Sequence, residues 1–298
     1  MLTDITRELY ADNPTETIYH YTSFKGVLGI VNDRAIWAGD IRYMNDASEL
    51  KHCVDLIKHA IADRLKSSPL SAPILQAFIV WLSQRMTNGH MLFGISFRAN
   101  GNLLSQWRGY SEPGKGVSLG FDSQFIKQCA KDQGFQIGRC IYHPLEQQRI
   151  IEQILDEVIR LIEQQKIKPL ERSTMLEDGF DGGLPTYNFD IIETDLLQIA
   201  AVIKHPSFQE EDEWRLVSPV ITDHCHSAVK FREGASMLVP YLEFGLQTPT
   251  LPMEISQVFL GPTPNASLSM NSLKLFLSKQ ALLPENGLHD CQIPFRQC

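Results

Sequence analysis

Met91-Leu92-Phe93-Gly94-Ile95-Ser96-Phe97 is a continuous apolar run of strand length, broken after it by Asn100-Gly101-Asn102. A short run apolar on both faces and closed by turn residues reads as a strand at the centre of a sheet. Downstream, residues 103–109 read as one or two helical turns. Residues 116–121 read as a strand with Val117, Leu119 and Phe121 on one face, 123–131 as a helix, 136–142 as a strand and 150–167 as a long amphipathic helix. Upstream, Thr17-Ile18-Tyr19-His20-Tyr21 alternates as a strand, and Thr22 or Ser23 caps a helix carrying Phe24, Val27, Leu28 and Val31. A short strand is expected at 35–38. Asp46 caps a helix with Glu49 at its third position and Leu50, Val54, Ile57 and Ile61 at helical spacing, and another helix is expected near 74–85.

The outer segments complete the pattern. Residues 1–14 read as an opening helix and 190–204 as a later one. Residues 213–220 read as a strand, 228–232 and 235–241 as a pair, and 255–260 as a strand stopped by Gly261-Pro262 before a closing helix at 269–279. Strands interrupted by helices, with a hairpin-like pair late in the chain, predict an α+β fold: a mixed, mostly antiparallel central sheet flanked by helices. A doubly wound fold is disfavoured, because no glycine-rich strand-to-helix fingerprint appears. The expectation is a single α+β domain over 1–298, with a helical insertion near 50–90 and a turn-rich, charged, mobile loop near 171–188.

The 298 residues are 43% hydrophobic and carry a formal charge of −8. That balance argues against wholesale coating of nucleic acid, which needs clustered Lys and Arg, but leaves room for a local basic groove or a compact anionic ligand. None of the six cysteines forms a CxxC pair, so zinc-ribbon and thioredoxin patterns fail on spacing. His224-Cys225-His226 reads as a polar turn rather than a metal site. There is no secretory signal and no apolar run approaching the ~18 residues of a membrane span. The expectation is a cytoplasmic protein with reduced thiols, no metal and no membrane association.

Four constellations bear chemistry. In Tyr19-His20-Tyr21-Thr22-Ser23, strand alternation puts His20 on one face with Thr22; an imidazole beside a hydroxyl can hold sugar hydroxyls, or be a core histidine on a backbone carbonyl. In Tyr43-Met44-Asn45-Asp46-Ala47-Ser48-Glu49, capping accounts for Asp46 and Glu49, and Tyr43 and Asn45 are the candidates for ligand contact. In Ser105-Gln106-Trp107-Arg108-Gly109-Tyr110, an aromatic can stack on a planar ring and Arg108 can clamp an anion; Trp107 is also a natural core anchor. Last is Glu210-Glu211-Asp212-Glu213-Trp214-Arg215. If a strand begins by Glu211, then Glu211, Glu213 and Arg215 share a face, and two close carboxylates suit acid–base work or stabilisation of a developing cation. A solvated acidic turn with a Glu–Arg pair is the alternative.

In order, these segments resemble bacterial domain-of-unknown-function family 2971, and the resemblance covers nearly the whole chain. The pattern is His20-Tyr21-Thr22, then Asn45-Asp46 with Glu49, then Trp107 and Tyr110 leading to Gly116-Val117 and Gly120-Phe121-Asp122. It ends with Lys204 and Pro206, Glu211-Asp212-Glu213-Trp214-Arg215 and Gly261-Pro262. More distantly the chain resembles the ADP-ribosyltransferase superfamily, and its opening, His20 to Ile30, looks like the DNA-modifying branch. That resemblance implies an ADP-ribosyltransferase-like fold with NAD as substrate. It implies His20 and Thr22 on the ribose, Ser96 from a middle strand, and Tyr110 or Tyr43 stacking on nicotinamide. Arg108 and Asn45 would complete the NAD-binding set, with Glu213 and Glu211 catalytic. The implied activity is transfer of ADP-ribose to a protein or nucleic-acid acceptor, or NAD hydrolysis, by a toxin or phage-defence effector with an antitoxin or defence-system partner. Two rivals stand beside it. A non-catalytic ligand-sensing or protein-interaction module would be marked by an occluded site or a carboxylate tied up by Arg215 or Lys204. A nucleotide- or RNA-end-processing enzyme would need two or more arginines in the cleft, for which Arg42, Arg98 and Arg108 are the candidates.

Overall fold

A computed structural model describes residues 2–44, 48–67, 72–109, 116–169, 187–248 and 250–291. In chain order the elements are α1 (Leu2–Leu9), β1 (Ile18–Ser23), α2 (Phe24–Asp33), β2 (Ala35–Asp40), α3 (Ser48–Ser67), α4 (Ala72–Asn88), β3 (Phe93–Arg98), α5 (Leu104–Gly109) and β4 (Gly116–Phe121). There follow α6 (Ser123–Asp132), β5 (Gln136–Arg139), α7 (Pro144–Glu163), α8 (Glu193–Ala200), β6 (Glu213–Val217), β7 (Lys230–Glu233), β8 (Leu238–Gly245), β9 (Gln257–Leu260), α9 (Ala266–Lys279) and β10 (Leu288–Asp290). The fold is α+β, with a mixed, mostly antiparallel open sheet flanked by helices. Its order is β10-β9-β4-β1-β3-β2-β8-β7, with β6 and then β5 continuing from β3; among the described strands only β9 and β10 pair in parallel.

β3 is the hub. Along one flank it pairs with β6 from Gly94↔Val217 to Arg98↔Glu213. On the other flank its ends meet different strands, Arg98 pairing with Tyr19 of β1 and Phe93-Gly94 pairing with Asp40-Gly39 of β2. Between those contacts, at Ile95–Phe97, no ladder pair joins β3 to β1 or β2, so the sheet is split there.

Strand alternation sends the two faces of the sheet into separate cores. One gathers Phe93, Ile95, Phe97, Val117, Leu119, Phe121 and Leu216 under α2, α6 and α9. The other gathers Leu92, Ile141 and Val217 under α1, α3, α4, α7 and α8. Each fully buried Leu, Ile or Phe contributes about 1.5–3 kcal/mol. Local signals start α2 and α6, the first at a cap expected from the sequence and the second at one it did not mark. Ser23 caps α2 by accepting from Gly26 N, and Asp122 caps α6 by accepting from Phe125 N. A Cβ on Gly26 would lie 1.9 Å from Thr22 Oγ1, so glycine lets the Thr22 side chain stay where it is.

Some expectations move. The long helix runs Pro144–Glu163, because Pro144 seeds its first turn and Gln165 at φ 55° ends the turn that follows. The later helix stops at Ala200 rather than continuing to Lys204; Ile203 instead bridges Ile141 in parallel. The strand expected over 136–142 pairs only to Arg139. Glu211 is not on β6: Pro206–Glu211 is a 3₁₀ turn, and Asp212 in the left-handed region at φ 38° separates it from the strand. The loop expected near 171–188 falls largely on residues 170–186, outside the described residues, as does the Asp46 cap. His224-Cys225-His226 lies in an exposed turn. Among the described residues no helix is long and apolar enough to cross a membrane.

Candidate functional site

The split in the sheet opens into a cleft of about 220 Å³. Its floor follows from alternation. Gly94, Ser96 and Arg98 of β3 share a face with Arg215 of β6 through the pairs Ser96↔Arg215 and Arg98↔Glu213. Gly39 of β2 joins them through Gly39↔Gly94. Gly39 and Gly94 are partners without side chains, which leaves the floor open there; a Cβ on Gly39 would meet nothing within 4 Å. Lys204 arrives from the extended segment after α8, held by Lys204 N donating to Ile141 O (3.1 Å) and by Gln147 Nε2 donating to Lys204 O (2.6 Å).

Arg98, Lys204 and Arg215 all line the cleft. Each is almost wholly buried, and their charges are met from behind by Glu211 and Glu213. Glu213 has no exposed surface. Its Oε1 accepts from Arg215 Nε (2.7 Å) and from Ser96 Oγ (2.6 Å); its Oε2 takes Lys204 Nζ (2.6 Å) and faces Arg98 Nη1 at 2.9 Å. Glu211 accepts from the same Lys204 ammonium and pairs with Arg98 Nη2 at 2.8 Å. Arg98 Nε also donates to Gln106 Oε1 (3.0 Å), and Arg215 Nη1 to Ala201 O (2.8 Å). Burial alone would push the Glu213 carboxyl up, but Arg215, Arg98 and Lys204 together, with the Arg215 hydrogen bond, hold it well below the ordinary carboxylate range. The three cations favour its ionised form, and its charge is spent on them.

His20 sits in the split. Its Nδ1 lies 3.1 Å from Ser96 O and its ring 5.9 Å from that of Phe97. Burial depresses its pKa to about 4, with Arg98 adding to the effect against the Ser96 hydrogen bond. The ring is therefore neutral at pH 7. Because Ser96 O can only accept, Nδ1 carries the proton and Nε2 keeps its lone pair.

Of the residues singled out in the sequence, His20, Ser96 and Tyr43 line the cleft. Glu213 and Glu211 lie behind its floor rather than in it, and the face they were expected to share by strand alternation is replaced by a common grip on Lys204. Thr22 packs against Gly26, and Arg108 is exposed on α5; neither lines the cleft. Tyr110 and Asn45 lie outside the described residues. Trp107 is an anchor: its Nε1 donates to Asn102 Oδ1 (2.9 Å) and its ring meets Tyr21 edge-on at 4.8 Å. Trp214 is half-buried against the α2–α6–α9 core.

The lining also includes Trp37, Gln106 and Arg232, which sequence reading did not select, and Arg215 and Lys204, which it placed only as counter-charges. A signal for Arg98 was present: an arginine ending the most apolar strand in the chain must find buried partners.

A family model described as a protein of unknown function (DUF2971) matches residues 106–216. The match covers less than half of the chain and supports the resemblance to that family. It takes in Gln106, Lys204, Glu211, Glu213 and Arg215, and leaves His20 and Ser96 outside. No curated protein and no solved structure matches the chain.

Proposed function

We propose that the cleft binds a small ligand bearing a phosphate group, and that the chain is a ligand-binding module built on the split sheet. The observation that carries this reading is the layering of charge. Arg98, Lys204 and Arg215 line the cleft, while the carboxylates that hold them stand behind. Guanidinium forks and an ammonium fixed in place suit the oxygens of a phosphate, and fixed donors lose little entropy on binding. Gln106 adds a neutral partner, and Ser96 Oγ and the Nε2 lone pair of His20 can accept from ligand hydroxyls. Of Arg42, Arg98 and Arg108, the arginines expected of a site for a nucleotide or RNA end, Arg98 alone lines the cleft, but Arg215 and Arg232 line it too, which supports this reading. The test is thermal unfolding with inorganic phosphate or pyrophosphate. A ligand at a hundred times its Kd stabilises by about 2.7 kcal/mol. The melting temperature is expected to rise with ligand and the effect to shrink with added salt; no shift at millimolar pyrophosphate in low salt sinks the reading.

A second reading, NAD-dependent ADP-ribosyl transfer or NAD hydrolysis on an ADP-ribosyltransferase-like fold, is favoured by one chain of contacts. His20 Nδ1 meets Ser96 O, and Ser96 Oγ donates to Glu213. The superfamily resemblance implies a first-strand histidine, a middle-strand serine and a later-strand glutamate as the working set. On this reading the pyrophosphate of NAD competes for the floor cations and relieves Glu213, whose carboxylate then faces a ribosyl cation; a macromolecular acceptor and a defence partner belong to it as well. Nicotinamide release from NAD, falling about 100-fold or more in a folded Glu213→Gln variant, is its expected sign. Binding of NAD without any release in the presence of cell extract returns the account to the binding module.

A further inference from the structure

Resting on the phosphate reading, we infer that the same cleft holds a second subsite, a ring platform formed by Trp37, and that the ligand is a nucleoside phosphate whose base stacks there. Trp37 lines the cleft yet is 45% exposed. Its ring lies on that of Tyr241, with centroids 4.5 Å apart and planes 30° from parallel. The backing is itself braced. The pairs Trp37↔Glu243 and Lys230↔Tyr241 put Trp37, Glu243, Lys230 and Tyr241 on one face, where Lys230 Nζ reaches Glu243 at 2.7 Å. A tryptophan held flat by a second ring, with its other side uncovered among the described residues, is a stacking surface already in place.

The register places this platform relative to the floor. β2 and β3 pair at Gly39↔Gly94 and part beyond it. Two residues further along each strand, Trp37 and Ser96 look across the split on the same face of the sheet. The two glycines mark the closed end of the split, where a Cβ on Gly39 would meet nothing within 4 Å. Arg98, Lys204, Arg215 and Trp37 thus line one cleft, so a ligand with its phosphate on the cations can reach the Trp37 ring. Arg232 lines the cleft beside it, on the face shared with Val239 through Arg232↔Val239. A phosphate joined through a sugar to a planar heteroaromatic base has the two ends this arrangement calls for. Stacking depends on a π-face that every base offers, so the platform selects nucleotides as a class rather than one base.

Calorimetric titration with AMP and with ribose 5-phosphate separates the two subsites. Alanine replacement of a stacking aromatic costs about 1–3 kcal/mol per base, or about 5- to 150-fold in affinity. Wild type is expected to bind AMP tighter than ribose 5-phosphate by a factor in that range, and AMP but not ribose 5-phosphate to quench tryptophan fluorescence. In Trp37→Ala the two affinities should converge through loss of AMP affinity, and Trp37→Phe should restore most of the difference. The phenylalanine variant also keeps the test decisive if the alanine variant folds poorly. Equal affinities for the two ligands in wild type overturn the ring subsite and leave the phosphate site standing. Failure of both to bind overturns the phosphate site as well.

Discussion

The floor and the rim of the cleft are built to different rules. At the floor, Arg98, Lys204 and Arg215 are all at most 2% exposed and interlocked with Glu211 and Glu213. At the rim, Trp37 and Tyr43 are 45% and 40% exposed. A side chain buried in a charge cluster cannot be altered without leaving its partners uncompensated, so the floor is as much a part of folding as of binding. A half-exposed ring contributes little to the fold and can be altered for what it does to a ligand. The positioned charges at the base of the cleft are the reason this contrast exists. They are already desolvated and held by carboxylates before any ligand arrives, so the cost of ordering them has been met during folding.

The largest expected effect is at the floor. Glu213→Gln leaves Arg98, Lys204 and Arg215 with one carboxylate fewer among them and should destabilise the fold by about 3–5 kcal/mol in denaturant unfolding. Adding Lys204→Met to Glu213→Gln should recover a good part of that loss, because it removes a cation that the carboxylate served. If the double variant is as unstable as the sum of the two single ones, the residues do not act as a cluster.

Next is a pH effect centred on the split. His20 has a folded pKa of about 4, below the ordinary value of about 6.5. Between these values the unfolded chain binds a proton that the folded one refuses, so stability rises with pH from about 4 to about 6.5 and levels off above. The full shift corresponds to a few kcal/mol. Glu213 acts lower on the scale. Its stabilisation is present above the ordinary carboxylate pKa and is lost as pH falls through its depressed folded value. His20→Gln should flatten the upper window while leaving the acid limb. An unchanged slope between pH 4 and 6.5 in that variant would mean that His20 titrates alike in the folded and unfolded chain.

Smaller effects on stability are expected at the open part of the cleft. Gly39→Leu fills space in which a Cβ has no neighbour within 4 Å, so stability should move by less than about 1 kcal/mol while phosphate and AMP binding are lost. Tyr43→Ala, at the exposed rim, should change stability by no more than about 0.5 kcal/mol and weaken AMP several-fold. A Gly39→Leu protein that still binds with wild-type affinity puts the ligand elsewhere.

The same contrast separates what sequence reading finds from what it misses. The core strand around Phe93–Phe97, the Ser23 cap, the alternation of β4 and the late hairpin were legible because each is set by local periodicity or capping. His20 and Tyr43 were singled out from local sequence, and Ser96 from the superfamily resemblance; all three line the cleft. The charge cluster was not legible as a cluster. Lys204 lies in a stretch of helical pattern, yet the parallel bridge Ile203↔Ile141 draws it out of the helix, and no local signal marks a bridge between residues so far apart. Glu211 and Glu213 looked like strand neighbours; the left-handed turn at Asp212 lets them converge on one ammonium by another route. Trp37 was hidden because its meaning depends on where β2 and β3 part, which is a property of the whole sheet.

The most direct measurement is a crystal structure with AMP bound. The account predicts the phosphate within hydrogen-bonding distance of at least two of Arg98, Lys204 and Arg215, with Glu211 and Glu213 behind the cations and the adenine ring parallel to Trp37. A phosphate seated away from those three residues, or bound with no contact to any of them, would contradict it.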